Sequence, residues 1–254
     1  MWQGDRGYLL STLILKDFRI RYRSMSLGVL WSLLNPLVTM ALLTFVFTII
    51  YPNPQLTHFP VFVLCGIVPY NFFTLAWLTG TTSIVESAPF IKRIPVPREI
   101  VPVAAVLSNC VHLAIQIALL LGAALAFGIG VNVNWLWLPV VWALEIVFVC
   151  GLALATSAIN VYIRDTRYVV ESINAILFWL VPIFYSFAVI PPQYREIYQL
   201  NPVAALVLSL RNIILDDTPP PTATLVKLTL VSFATLTLGW TVFRRMRPTF
   251  FEHI

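Results

Sequence analysis

The sequence predicts an all-α integral membrane protein with six transmembrane helices in each subunit. Of its 254 residues, 59% are hydrophobic and only 11% are charged, and the mean hydropathy is +0.86. Several apolar runs exceed the length of about 20 helical residues that crosses a hydrocarbon core about 30 Å thick. Because lipid offers the backbone no hydrogen-bond partners, these runs are expected to form helices.

Six apolar runs are long enough to be spans, and the whole chain, 1–254, is predicted to form one transmembrane domain. The runs occupy residues 29–51, 59–85, 100–131, 135–159, 170–190 and 223–243. A shorter run, 203–215, would rise about 20 Å as a helix, so it is predicted to be re-entrant or interfacial. Pro36, Pro69 and Pro182 lie inside apolar runs, where each removes a backbone hydrogen bond and tends to bend the helix.

Positive charge is distributed unequally between the two ends of these spans. Thirteen of the sixteen Lys and Arg residues lie before the first run, in the 86–99 and 160–168 loops, or after residue 243. Cytoplasmic loops carry the excess of Lys and Arg, so both termini are predicted to be cytoplasmic. The outward-facing segments would then be 52–58, 132–134 and 191–222.

The segment before the first run mixes apolar and basic residues. Residues 7–23 are predicted to form an amphipathic helix on the cytoplasmic membrane surface, with Arg19, Arg21 and Arg23 toward anionic headgroups. The alternative is an ordinary positive flank of the first span, which charge alone does not distinguish. The length of the segment favours the helix.

The sequence contains no recognisable catalytic or metal-binding pattern. It has no G-x-x-x-x-G-K-[ST] phosphate loop, no His/Cys metal spacing and no paired acid and base, so no catalytic residue and no metal ligand are assigned. The three cysteines lie in separate apolar runs, which fits neither a disulfide framework nor a metal site. The net charge of +5 comes from basic residues between apolar runs, so nucleic-acid binding is not expected.

Two ionisable residues lie well inside apolar runs, away from the run ends, His112 in the third and Glu145 in the fourth. An intramembrane charge by default suggests an ion or proton pathway. A single carboxylate and a single imidazole do not form a chain of acids across the membrane, so a structural hydrogen bond within the bundle is the favoured interpretation.

Aromatic residues concentrate in the second and fifth runs. These residues are Tyr70, Phe72, Phe73 and Trp77, followed by Phe178, Trp179, Phe184 and Tyr185. Aromatic rings can stack on the apolar faces of sugars while a tyrosine hydroxyl or an indole N–H binds sugar hydroxyls, which suits a carbohydrate path. Contact with lipid or with other helices is the alternative explanation.

An ordered set of short motifs resembles the membrane subunits of ABC-2-type polysaccharide exporters, the O-antigen, capsule and teichoic-acid permeases. The motifs are "RYRSMSLGVLWSLLNP" (21–36), "GIVPYNFF" (66–73), "IKRIPVPREIVP" (91–102), "NVYIRD" (160–165) and "VPIFYSFAVIPP" (181–192), with "NP" and Arg211 further on. They cover nearly the whole chain. Each motif alone is weak evidence for this family, but the order of the motifs, together with the six predicted spans, is specific for it.

The resemblance implies a homodimer that works with two copies of a separate ABC ATPase, which holds ATP and Mg, so this chain needs no cofactor and is not itself an enzyme. The complex would export a lipid-linked polysaccharide across a bacterial inner or plasma membrane. The aromatic residues would line the channel, the 86–98 loop would couple to the ATPase, and 191–222 would form outer re-entrant gate helices. The residues assigned to coupling are Glu86, Phe90, Lys92, Arg93, Ile94 and Pro95. Arg19, Arg21 and Arg23 would attract the pyrophosphate of the lipid carrier at the entrance.

Three other functions remain open at this stage. An ABC-2 permease for a drug or small lipid would share the architecture. A proton-coupled transporter would use Glu145 and need no ATPase, and a membrane-embedded enzyme is the least favoured because no cluster of polar residues lies near one face.

Overall fold

The computed structural model describes residues 6–22, 30–51, 58–93 and 97–250, and within these ranges the chain is helical without any strand. Its α-helices are α1 (Arg6–Tyr22), α2 (Trp31–Phe45), α3 (Phe59–Glu86), α4 (Ala88–Arg93), α5 (Ile100–Ser108), α6 (Cys110–Ala126), α7 (Leu138–Tyr162), α8 (Thr166–Leu180), α9 (Pro192–Leu200), α10 (Pro202–Ile214) and α11 (Thr222–Met246). A π-helix, Val46–Ile50, extends α2, and 3-10 turns at Val133–Trp137 and Arg247–Thr249 adjoin α7 and α11. The all-α fold class is confirmed.

Within the described ranges, five continuous helical segments are long and apolar enough to cross a membrane. They are Trp31–Ile50, Phe59–Glu86, Ile100–Ala126, Val133–Tyr162 and Thr222–Thr249. Each lies on one of the predicted runs, with ends that differ by a few residues. The third contains α5 and α6, which meet at Asn109. The Asn109 side-chain amide donates hydrogen bonds to the Ala105 carbonyl (2.7 Å) and to the Thr79 hydroxyl of α3 (2.9 Å).

The remaining predicted run, 170–190, is helical only as far as Leu180. With 15 residues, α8 rises about 22 Å, which is short of the hydrocarbon thickness of about 30 Å. Pro182 has no N–H and disfavours a helical residue before it, and Val181 accordingly adopts an extended conformation (φ −79°, ψ 133°). The number of complete spans in this part of the chain therefore stays a prediction.

Helix α3 is the centre of the bundle. It packs against α2, α5, α6, α7, α8 and α10. In its apolar part 78% of the residues are buried, against 6% in the span that contains α2. Side chains on every side of α3 are therefore covered by other helices, whereas most of α2 faces outward from the protomer.

Helix α11 packs chiefly on α7, and the two backbones meet at a pair of glycines. A Cβ atom added at Gly239 would lie 2.0 Å from the Gly151 carbonyl oxygen, and one added at Gly151 would lie 2.5 Å from the backbone nitrogen of Leu236. Small residues allow membrane helices to approach at this distance, which compensates for the absence of a hydrophobic driving force between helices in lipid.

A helix, α1, covers most of the predicted range 7–23. Leu9 and Leu13 are buried and pack with Ala104 of α5, so one apolar side of α1 contacts protein. Tyr8 and Leu15 are exposed. The position of α1 at a membrane surface stays a prediction.

The basic segments meet at one end of the bundle, which we call the basic end. The Tyr162 hydroxyl, at the end of α7, donates to the Met246 carbonyl at the end of α11 (2.7 Å), and Arg98, before α5, donates to the Arg247 carbonyl (2.8 Å). The opposite end, here called the distal end, contains the start of α3, the turn before α7 and the loop before α11. Helices α9 and α10 occupy most of the predicted 191–222 segment, and α10 packs against α3, α7 and α11.

Candidate substrate path and coupling surface

The aromatic residues of α3 form the inner half of a continuous series of rings. Trp77 contacts Phe73 with ring centroids 5.4 Å apart, and Phe73 lies 6.3 Å from Tyr70. The Tyr70 ring then meets Phe178 of α8 edge to face at 5.6 Å. These residues follow one another at spacings of three and four along α3, so they share one face of the helix. Phe72 points to another side of α3 and belongs to the main hydrophobic core.

The series continues from α8 into the non-helical segment after it. Phe178 and Trp179 are 5.6 Å apart, Trp179 lies 5.6 Å from Phe184, and Phe184 lies 5.3 Å from Tyr185. Phe47, from the π-helix after α2, stacks on Phe184 at 5.5 Å. The structure thus brings together seven of the eight predicted channel aromatics and adds rings that the sequence analysis missed, among them Phe47 and also Phe148, which stacks on Phe73 at 6.1 Å.

The two halves of this series differ in exposure. Phe72 and Phe73 are 0% and 1% exposed, and Tyr70 and Trp77 are also buried, so within the protomer they are covered by other side chains. Trp179 is 68% exposed, and Phe178, Phe184 and Tyr185 are half-buried. The accessible rings are therefore those of residues 178–185, while the α3 rings support them from behind.

Both tyrosine hydroxyls of the series bind backbone carbonyls. The Tyr70 hydroxyl donates to the Asn174 carbonyl of α8. The Tyr185 hydroxyl lies 3.1 Å from the carbonyl oxygens of both Trp179 and Leu180, which are among the last carbonyls of α8 and lack intrahelical partners. Tyr185 therefore stabilises the end of α8 in addition to presenting its ring.

The predicted coupling loop contains a short helix that directly follows α3. The backbone N–H groups of Phe90 and Ile91 both donate to the Ser87 carbonyl, and this starts α4 one residue after α3 ends. Ile91 is buried among residues of α3, α5, α7 and α11. The half-buried Phe90 lies beneath Lys16 of α1, whose ammonium nitrogen is 5.8 Å from the ring centroid.

The outer face of this loop presents Glu86, Pro89 and Lys92, all of which are exposed. The backbone of Arg93 ends α4, but its side chain, together with Ile94 and Pro95, lies outside the described part of the structure. The loop is thus anchored on one side by Ile91 and open on the other.

A charged contact joins the end of the coupling loop to the end of α11. Arg247 forms an ion pair with Glu99 (Nη1 to Oε2, 3.1 Å), and Arg98 stacks over the Phe250 ring, with its guanidinium carbon 5.9 Å from the centroid. Partial burial, followed by the neighbouring Arg247 charge, lowers the pKa of Arg98. Glu99 lies between the two cations and offsets their repulsion.

Of the three predicted entrance arginines, the side chain of only Arg19 is described. It is exposed on α1. Arg21 belongs to α1, but its side chain is outside the described set, and Arg23 lies outside the described residues altogether. Whether the three form one basic entrance stays a prediction.

The two intramembrane ionisable residues have different surroundings. The imidazole of His112 lies 2.9 Å from the Gln116 amide nitrogen, and Gln116 donates to the Ser32 carbonyl of α2 (3.3 Å), so this group links α6 to α2. Glu145 is fully buried in α7, and neither of its carboxyl oxygens has a hydrogen-bond partner among the described residues. Within the same described ranges, no group of three His, Cys, Asp or Glu side chains could hold a metal ion.

Comparison with known proteins identifies the family. The family model for the ABC-2 type transporter matches residues 8–215. An O-antigen export system permease protein, RfbA, from Myxococcus xanthus is 27% identical over 251 residues, covering 98% of this chain and 96% of that protein. The RfbA protein of Klebsiella pneumoniae is 27% identical over 84% of this chain and 83% of its own length. The polysialic acid transport protein KpsM of Escherichia coli is 25% identical over 92% of both chains.

The family match extends from α1 to the end of α10 and therefore includes the coupling loop, the aromatic series and the two short helices at the distal end. Together with the bundle of apolar helices, it confirms the resemblance seen in the sequence motifs. This multi-pass membrane protein belongs to the ABC-2 type transporter family.

Proposed function

We propose that this chain is the membrane-spanning subunit of an ATP-driven exporter that moves lipid-linked polysaccharide out of the cytoplasm. The observation that carries the proposal is the match over 98% of the chain to a protein named as an O-antigen export permease. Two copies of the chain would act with two copies of a separate ATPase, which would bind ATP and Mg. The basic end would face the cytoplasm of a bacterial cell, as the positive-inside rule requires.

The proposed homodimer is supported by the exposure of α8. Apolar side chains on this helix face away from the rest of the protomer. They are Tyr168, Val169, Ile173, Ile176, Trp179 and Leu180. Only a narrow face, with Thr166, Val170 and Asn174, is buried. A second copy of the chain beside α8 would place two sets of accessible aromatic rings around one path.

The aromatic residues suit a sugar polymer because aromatic rings stack on sugar faces without requiring a particular sequence of sugars. The proposed path is lined by Phe178, Trp179, Phe184 and Tyr185. Tyr70, Phe72, Phe73 and Trp77 of α3 would hold this lining in place from within the protomer.

Reconstitution tests the proposed function. The chain, co-expressed with an ABC ATPase from the same organism and placed in vesicles, should make that ATPase hydrolyse ATP faster when lipid-linked glycan is added. Stimulation by small amphiphiles but not by glycan would favour a drug or small-lipid permease. Transport that persists without any ATPase and is lost in Glu145→Gln would instead indicate a proton-coupled transporter.

The accessible rings can be tested at Tyr185. Tyr185→Leu removes both the ring and the hydroxyl and is expected to lower glycan export about tenfold, while Tyr185→Phe keeps the ring and should retain most of the export. A loss of stacking of about 1.4 kcal/mol accounts for a change of this size. Export is measured as surface polysaccharide per folded transporter.

The outcome of the phenylalanine variant separates two roles for Tyr185. If Tyr185→Phe fails as completely as Tyr185→Leu, the hydroxyl that binds the end of α8 is the important group, and the stacking role is wrong. Val189→Leu is a matched control, because Val189 is exposed near the same segment and has no aromatic ring.

A further inference from the structure

A cavity of about 490 Å³ opens at the distal end, between α10, the segment after α8 and the start of α11. Its lining includes three residues that can carry positive charge, namely Arg211, Lys227 and His58. Ligand pockets in proteins occupy about 300–1,000 Å³, so the space accommodates a group larger than a bare inorganic ion. The cavity lies away from the predicted coupling loop, and two of its lining residues, Ser186 and Phe187, directly follow Tyr185 of the aromatic series.

Arg211 is 5% exposed, and its guanidinium group is only partly paired. Its Nη2 donates to the Ile183 carbonyl (2.7 Å) and lies 3.4 Å from the Phe62 carbonyl, while its central carbon lies 3.5 Å from the Phe62 ring centroid. Its Nε and Nη1 atoms have no hydrogen-bond partner among the described residues. A buried guanidinium with two unpaired donor atoms is costly in free energy unless an acceptor is supplied.

An acid in the same cavity does not supply that acceptor. Asp216 lines the cavity, but within the described residues no ion pair joins it to Arg211. The loop that carries Asp216 is held elsewhere, because the Asn134 side chain donates to both the carbonyl and the carboxylate of Asp217 (3.0 Å each). The Thr218 N–H also donates to the Asn212 carbonyl (2.9 Å).

The other wall residues can complete an anion site. Lys227 is exposed on the first turns of α11, and Ser209 and Asn212 of α10 line the same space. The Ser209 hydroxyl already donates to the Ala205 carbonyl (2.8 Å). A guanidinium with two unpaired nitrogens, a nearby ammonium and the side-chain amide of Asn212 together match the oxygens of a carboxylate or a phosphate.

We propose that this cavity is an oxyanion-binding site, in which Arg211 and Lys227 bind a carboxylate or phosphate carried on a group about the size of a sugar. Arg211 lines the buried side of the site, and Lys227 lines its accessible side. The site does not depend on the cargo proposed above, since it is defined by charge and by unpaired donors alone.

Binding can be measured on the purified full-length chain in neutral detergent at low salt. Glucuronate and inorganic phosphate should each raise the melting temperature, whereas glucose, which matches glucuronate in size but has no charge, should not. Lys227→Gln should weaken glucuronate binding about tenfold, as expected for the loss of one charge-assisted contact of about 1.4 kcal/mol. Arg245→Gln, the same charge change at the basic end, should leave binding unchanged.

Lys227 is the informative position because it is exposed and its replacement does not disturb the fold, whereas Arg211→Gln also removes the bonds to Ile183 and Phe62. Asp216→Asn should tighten binding by removing the opposing charge. The proposal is overturned if neither anion raises the melting temperature, or if Lys227→Gln and Arg245→Gln weaken glucuronate binding equally. A parallel measurement in vesicles distinguishes the source of the group. A higher melting temperature in phosphatidylglycerol vesicles than in phosphatidylcholine vesicles supports the site with a lipid headgroup as its ligand, provided that the difference is lost in Lys227→Gln.

Discussion

Gly239→Ala is expected to destabilise the membrane bundle more than any other single-methyl change in the described part of the chain. The added Cβ would lie 2.0 Å from the carbonyl oxygen of Gly151, a backbone atom that no rotamer change can move. Helices α7 and α11 would have to separate, and α11 has few other contacts, because only 17% of the residues in its apolar part are buried. Overpacking of this kind lowers the free energy of unfolding by about 3 kcal/mol.

The measurement is the melting temperature of the detergent-solubilised protein, followed as the fraction that remains monodisperse after heating. A fall of about 10 °C is expected for Gly239→Ala. Gly122→Ala is the matched control, since its added Cβ on α6 would have no heavy atom within 4 Å. Alanine in place of an unconstrained helical glycine stabilises by about 0.5–1 kcal/mol, so the two variants should shift in opposite directions. Wild-type stability in Gly239→Ala would show that α7 and α11 do not meet at this pair.

The positions of the long helices could be predicted from the sequence because hydropathy over 20 or more residues dominates every other local signal. The end of α8 could not be predicted in the same way. The residues from 170 to 190 are mostly apolar, and a proline within an apolar run usually bends a helix without ending it. The helix ends here because Val181 becomes extended and the Tyr185 hydroxyl then binds the carbonyls that α8 leaves free.

The sequence was enough to predict which aromatic residues belong to the series, but not which of their rings are accessible and which are covered by other helices. Positions 70, 73 and 77 share a helical face, whereas position 72 points elsewhere, and which face is covered depends on helices distant in sequence. Phe47 was missed because it lies in a different run from its partner Phe184 and meets it only in the folded bundle. The signal that could have found Phe47 is its place near the end of a span, close to the non-helical segment that contains Phe184.

Arg211 shows a different limit. In the sequence it is one of the few cations on the less basic side, and it contributes an exception to the charge bias and one of the features that resemble the family. Its unpaired nitrogens and its cavity depend on the positions of Phe62, Ile183 and Lys227, which come from three separate parts of the chain. Composition records the charge, but only the fold shows that two nitrogens of the guanidinium lack a hydrogen-bond partner among the described residues.

Replacing Lys92 and Arg93 together by alanine is expected to abolish export while leaving membrane insertion intact. Lys92 is exposed on α4, and substitutions at exposed positions change the free energy of unfolding by no more than about 0.5 kcal/mol. If α4 is the contact for the ATPase, loss of two charges at its tip should weaken that contact at least about tenfold. The measurements are surface polysaccharide and the amount of ATPase that co-purifies with the chain. Arg245→Ala, at an exposed cation of the same end, is the control and should retain both.

A companion variant, Ile91→Ala, separates binding of the ATPase to α4 from the transfer of movement from α4 to α3. Ile91 is 4% exposed and anchors α4 among residues of α3, α5, α7 and α11, while Glu86, Pro89 and Lys92 point outward. Ile91→Ala leaves the outward face unchanged but loosens its anchor, because a buried side chain loses much of its packing. We therefore expect the ATPase to bind and to hydrolyse ATP in Ile91→Ala, with export reduced because movement of α4 no longer displaces α3. Normal export in both the double variant and Ile91→Ala would exclude α4 as the coupling element, whereas loss of ATPase binding in Ile91→Ala would mean that the anchor itself shapes the contact.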